Sequence, residues 1–164
     1  MELYNYEFID DGRNRIHKTA IIADNVKLGR GNTILPYSVI GYPGAIRGIE
    51  GYKGKIEIGD NNFIGAHVTI MAGKESTRIG DKNIIMNHVN IGHDTDIGYN
   101  NEIGAGTILG GHVTIGDRNK IKIGCIIRNR VLIGNNNTIG QGSNIVQGIK
   151  NFKVVYGNPA KEIE

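Results

Sequence analysis

From Ile79 to Ile145 an aliphatic residue returns every sixth position without a break: Ile79, Ile85, Ile91, Ile97, Ile103, Leu109, Ile115, Ile121, Ile127, Ile133, Ile139 and Ile145. A helix repeats near 3.6 residues and a simple strand every 2, so a strict six belongs to neither and marks a short-unit repeat. A second, mostly small class sits two positions earlier, at Asn83, Val89, Thr95, Asn101, Thr107, Val113, Asn119, Cys125, Val131, Asn137 and Ser143. Two inward positions in every six fit short strands joined by corners. Within the small class, Asn83, Asn101, Asn119 and Asn137 are 18 apart, so three six-residue units close one turn and the coil is triangular.

Adjacent turns of such a coil lie at strand spacing, roughly 4.8 Å. A buried asparagine amide can then bond to its counterparts above and below, as in the amide ladders of stacked sheets. Glycine usually follows the aliphatic residue, with Asn, Asp or Gly beside it. These types tolerate the left-handed backbone of a sharp corner. On these residues the chain is identified as a member of the hexapeptide-repeat class, which implies an all-β fold, the left-handed parallel β-helix with three hexapeptides per coil.

The 164 residues are expected to form one domain, with 1–15 as an N-terminal cap, 16–150 as coils and 151–164 as a C-terminal cap. Before Ile79 the repeat runs through Ile16, Ile22, Leu28, Ile34 and Ile40, lapses, and resumes at Ile58, Ile64 and Ile70. The lapses predict loop insertions near 41–55, where glycines and Pro43 cluster, and near 72–78, where three extra residues intervene. A hydrophobic content of 39% is lean for a layered domain but suffices for a narrow prism.

No apolar run approaches the ~20 residues of a membrane helix, and the start MELYNYEFIDDGRNR is too polar for a signal peptide. The expectation is a cytoplasmic protein without a membrane span. A net charge of +3 is too small to argue for nucleic acid. The lone cysteine, Cys125, occupies a small inward position and is expected to pack in the core. Arg118, Lys120, Lys122, Arg128 and Arg130 fall within one coil and are read as an anion-binding strip.

Phasing on the 18-residue coil sorts the five histidines. His17 stands alone and is expected at the surface, while His67 and His88 share a column on one corner. His93 and Asp94 lie on another corner, with Gly111 and His112 one coil above them and Asn129 and Arg130 above those. An outward histidine beside an aspartate suits a general base, because imidazole titrates near working pH and a carboxylate can fix its tautomer.

The segment IIMNHVNIGHDTDIG, followed by GAGTILGGHVTIG, resembles the heart of the UDP-N-acetylglucosamine acyltransferases of lipid A synthesis. The similarity runs from about Ile16 to Ile145. It implies that His93 deprotonates the acceptor, that the Gly111 amide stabilises the oxyanion, and that Asp94 and His112 orient or assist. There are departures: Ile46 and Gly48 replace that family's acidic residue and lysine, Met71 replaces a histidine, and no long C-terminal helical segment follows.

The tail, IGQGSNIVQGIKNFKVVYGNPAKEI, is similar to the closing segment of coenzyme A-dependent hexapeptide acetyltransferases. That likeness implies acyl-donor binding by Lys153, Asn158 and Lys161, joined by Arg128 and Arg130. His67, His88 and Arg47 are assigned to the acceptor. The function so implied is transfer of an acetyl or other short acyl group from coenzyme A to an amine or hydroxyl of a nucleotide-linked sugar. Acetyl-coenzyme A would be a co-substrate, no cofactor would be bound permanently, and the assembly would be a homotrimer with sites between subunits.

Three alternatives stand beside this reading: an acyl-carrier-protein-dependent sugar O-acyltransferase, a γ-carbonic-anhydrase-like metal protein and a noncatalytic hexapeptide scaffold. His88 and His93 have the H-x4-H spacing of the γ-type enzymes, but Met71 stands where the third ligand belongs. No metal site is therefore expected there.

Overall fold

The structure is a computed structural model and describes residues 8–43 and 54–163. Short strands stack into three parallel sheets that form the faces of a left-handed β-helix. The first face runs through Arg15–His17, Thr33–Ile34, Phe63–Ile64, Ile84–Ile85, Glu102–Ile103, Lys120–Ile121, Thr138–Ile139 and Val154–Gly157. The second climbs from Ile21–Ile22 through Val39–Pro43, Thr69–Ala72, Asn90–Ile91, Ile108–Leu109 and Ile126–Ile127 to Asn144–Ile145. The third comprises Val26–Leu28, Ile56–Ile58, Thr77–Ile79, Asp96–Ile97, Thr114–Ile115 and Leu132–Ile133. Antiparallel strands Phe8–Asp10 and Ala160–Glu162 pair at the two ends of the first face and cover edges that would otherwise present unpaired backbone.

The sixth-position aliphatics make the core. Ile85, Ile91, Ile103, Ile121 and Ile127 are each 1% exposed or less, and each pairs in register with its equivalent one coil away, as Ile85 does with Ile103 and Ile91 with Leu109. Their strand neighbours point outward, which leaves Ile108 and Ile126 about half exposed. Cys125 is fully buried, as its phase requires, and its Sγ lies 3.1 Å from the Lys122 carbonyl oxygen.

The asparagine ladder is longer than the repeat alone predicts. Asn14, Asn32, Asn62, Asn83, Asn101, Asn119 and Asn137 are all buried. Each backbone N–H from Asn32 to Asn137 donates to Oδ1 of the asparagine one coil earlier at 2.8–2.9 Å, and Lys153 N–H closes the series on Asn137 Oδ1. The Nδ2 groups of Asn83, Asn101 and Asn119 donate to the glycine carbonyls at 98, 116 and 134, satisfying the amide's second half. The ladder steps across both insertions without losing register. Of the 41–55 insertion, only its flanks lie among the described residues, and those residues contain no helix able to cross a membrane.

One expectation is corrected here. His17 is 7% exposed rather than at the surface, because its ring is packed edge-on to Phe8 and its Nδ1 lies 2.9 Å from Thr19 Oγ1.

Replacing Asn101 with leucine removes the acceptor of the Asn119 N–H and the donor to the Gly116 carbonyl. With about 1–3 kcal/mol for each buried group left unsatisfied, Asn101→Leu should clearly lower the denaturant midpoint. An unchanged midpoint would show that the ladder contributes nothing to stability.

Candidate functional site

The corner between the second and third faces is built the same way in successive coils. After strand Asn90–Ile91 come Gly92, His93 and Asp94, and one coil on, Gly110, Gly111 and His112 follow Ile108–Leu109. Asp94, His112 and Arg130 all take the left-handed backbone, with φ of 55°, 57° and 63°. Such angles are tolerated best by Asn, Asp and His among non-glycine residues. The coils are locked to each other here, since His112 N–H donates to the His93 carbonyl at 2.9 Å and Arg130 N–H to the Gly111 carbonyl at 3.0 Å.

Gly111 is dictated by space. A Cβ at that position would stand 2.6 Å from His93 Nε2 and 2.8 Å from its Cε1, so only glycine lets the ring lie against the next coil. The N–H of Gly111 is engaged by no acceptor among the described residues, whereas the equivalent amide at another corner, that of Asp117, donates to Asn135 Oδ1 at 2.7 Å.

Asp94 organises the group. Its side chain is 3% exposed, Oδ2 lies 2.8 Å from His93 Nδ1, and Oδ1 accepts the Glu75 N–H at 2.7 Å. His112 Nε2 is 3.8 Å from the same Oδ2, and the His93 and His112 rings meet edge to face at 5.1 Å. Burial pushes the Asp94 carboxyl up. The hydrogen bonds from His93 and from the Glu75 amide, with the fields of both imidazoles, more than offset it and hold the carboxyl below its ordinary value. An ionised carboxylate can only accept, so in the neutral imidazole of His93 Nδ1 carries the proton and Nε2 is the acceptor over Gly111.

The other residues singled out in the sequence fall into separate places. His67 and His88 stack at 4.8 Å with ring planes 4° apart on the corner between the first and second faces, and Tyr37 extends the stack below them. Arg128 and Arg130 stand at the His93 corner. Lys153 and Lys161 line a pocket of about 460 Å³ at the C-terminal end, where Lys153 pairs with Glu162 and Asn158 Oδ1 accepts from Asn144. Arg47 lies outside the described residues.

The single strip from Arg118 to Arg130 is not formed. Twelve residues span two thirds of a triangular turn, so Arg118 sits at the third-to-first corner against Tyr99, Lys120 faces out from the first sheet, and Arg128 and Arg130 reach the His93 corner.

Gly73 and Glu75 were not singled out by sequence. The signal was the three-residue excursion one coil below His93: Gly73 packs against the Asp94 carboxylate, where a Cβ would come within 2.2 Å, and Glu75 caps it. A surface depression of about 590 Å³ lies elsewhere, over Lys27, Glu57, Arg78 and Asp96 on the third face. Arg78 pairs there with Asp96 at 3.5 Å and Glu57 at 3.9 Å, a column of exposed cross-strand charges.

No family model matches the chain. It is 30% identical over 185 residues to the acyl-(acyl-carrier-protein)–UDP-N-acetylglucosamine O-acyltransferase of Pseudomonas savastanoi pv. phaseolicola, covering 92% of this chain and 72% of that protein. It spans about half, 54%, of the length of other curated relatives of the same name. Among solved structures it resembles the UDP-N-acetylglucosamine acyltransferase of Bacteroides fragilis, with a TM-score of 0.86, 29% identity, and coverage of 92% of this chain and 60% of that one. It shares its fold with PerB of Caulobacter crescentus, solved with coenzyme A and GDP-perosamine, at a TM-score of 0.62 and 22% identity over 93% of this chain and 57% of that one.

Because the Asp94 carboxyl is held low in the folded chain, its ionised form stabilises the fold above the ordinary carboxylate range, and that contribution is lost as pH falls through the lowered value. Asp94→Asn should therefore be less stable than the native chain near pH 7, and the gap should narrow at a pH taken below the ordinary carboxylate range of about 4. Denaturant titrations at the two pH values read this directly. A gap independent of pH would contradict it.

Proposed function

Because the chain belongs to the UDP-N-acetylglucosamine acyltransferase family, we propose that it transfers an acyl group from a pantetheine thioester to an amine or hydroxyl of a nucleotide-linked aminosugar, with His93 as general base. The observation that carries the reading is the His93 ring, fixed by Asp94 at Nδ1 and lying against Gly111 with Nε2 free. His93 Nε2 takes the proton from the attacking amine or hydroxyl as the new bond to the thioester carbonyl forms. The Gly111 N–H stabilises the oxyanion. Asp94 stabilises the imidazolium with His112 beside it. Collapse of the tetrahedral intermediate breaks the C–S bond, and His93 returns its proton to the departing thiolate.

Coenzyme A is the donor in this proposal, with Arg128, Arg130, Lys153, Asn158 and Lys161 toward its phosphates. The tail resemblance supports that assignment, as does PerB, which shares this fold and was solved with coenzyme A. An acyl carrier protein is the second reading, favoured by the name of the Pseudomonas savastanoi relative. Cys125 takes no part, since burial raises its thiol and its Sγ is spent on the Lys122 and Gly140 carbonyls.

His93→Ala should lower transfer by at least ~100-fold while calorimetric donor binding persists; Cys125→Ser should leave the rate intact. Rates with acyl-coenzyme A and acyl carrier protein donors against a panel of nucleotide-linked aminosugars make the measurement. Near-native turnover by His93→Ala would overturn the mechanism.

A corner on a flat-faced prism makes no enclosed cleft alone, so the proposed site is completed by a neighbouring subunit of a closed trimer. His67 and His88, on the next corner, and Arg47 are assigned there to the acceptor. Light scattering should give three times the 17.8 kDa of one chain. A monomer at micromolar concentration would contradict the shared site.

A further inference from the structure

We propose that His93, Asp94 and His112 also form a binding site for a divalent transition-metal ion of the zinc class. One ligand atom from each of the three side chains lies within 4.8 Å of the others. Two imidazoles and a carboxylate are the donor set that such ions take, in preference to magnesium or calcium. With ligand distances near 2.0–2.1 Å, the 2.8 Å edge between His93 Nδ1 and Asp94 Oδ2 subtends roughly 90° at an ion, and the 3.8 Å edge from Asp94 Oδ2 to His112 Nε2 roughly 140°. With about 90° and 140° at the other two edges, the two imidazole nitrogens subtend at most about 130° and stand no more than about 3.7 Å apart on one ion, so a swing of the partly exposed His112 ring by about an ångström closes the set.

The surroundings favour a cation. The Asp94 side chain is already 97% out of solvent, so the cost of desolvating it falls on folding and not on metal capture. The Glu75 amide on Oδ1 keeps Oδ2 directed at the two imidazoles, the kind of support outer groups give to ligating carboxylates. An ion on His93 Nδ1 leaves the ring's single proton on Nε2, and because the ligating form is the neutral imidazole, binding competes with protonation and strengthens as pH rises. Three protein ligands leave at least one position to solvent. The expected absence of metal concerned His88 with His93. His88 is stacked on His67 at another corner and is not part of the site proposed here.

An ion on Nδ1 leaves the ring proton on Nε2, the atom that would accept the acceptor's proton, so zinc should inhibit acyl transfer, a consequence that rests on the general-base reading. The metal site itself stands on geometry alone. Zinc chloride titrated calorimetrically into tag-free, chelator-stripped full chain should bind once per chain. Asp94→Asn, His112→Ala and the bulkier His112→Gln, each checked for its thermal transition, should weaken binding at least tenfold, and a His67→Ala, His88→Ala double variant should not. No binding at 100 µM zinc, or binding that survives the His112 variants, or binding lost only with His67 and His88, would overturn the proposal while leaving the acyl-transfer reading untouched. Zinc bound at this site with transfer unaffected would support the metal site and overturn the role of His93 as base.

Discussion

Everything in this molecule depends on the registration of one coil upon the next. The asparagine ladder supplies it: an Oδ1 in each coil accepts the N–H of the asparagine above at 2.8–2.9 Å, from Asn14 to Lys153. A slip of one residue would turn every inward isoleucine outward. It would also leave these buried amides unpaired. Apolar burial makes the prism compact, but isoleucine columns alone tolerate sliding, and the directional amide bonds do not.

That registration turns sequence separation into chemistry. His93 and His112 are neighbours because 18 residues make a turn, and the added step brings the second ring beside the carboxylate at Asp94. Gly111 completes the arrangement by lacking a side chain, so that the His93 ring can lie on the coil above. Below, the excursion through Gly73 and Glu75 reaches up to the carboxylate. A base held by an acid, an unengaged amide and a second imidazole thus come from two successive coil corners and one insertion.

Most of the fold was legible because each six-residue unit carries the same instruction, and the strict return of Ile79 to Ile145 is read without tertiary knowledge. The His93, Asp94, Gly111 and His112 corner was legible for the same reason, since phase alone stacks those positions. What phase could not give was side-chain direction beyond the coil. Counting residues made one strip of Arg118 to Arg130, although two thirds of a turn separates its ends. His17 read as surface because its cover, Phe8, lies outside the repeat. Tyr37 completes the His67 and His88 column across the first insertion, where the 18-residue count is broken.

The central claim is that Asp94 holds His93 with its proton on Nδ1 and its Nε2 free beside Gly111. Nitrogen-15 NMR of imidazole-labelled protein measures this without substrate, by the shifts of the two ring nitrogens and their couplings to ring protons. Above the pH at which His93 becomes neutral, the account predicts the Nδ1–H tautomer for His93 in the native chain and a shift toward the tautomer mixture of free histidine in Asp94→Asn. An Nε2–H tautomer in the native chain, or the same ratio in both proteins, would contradict it.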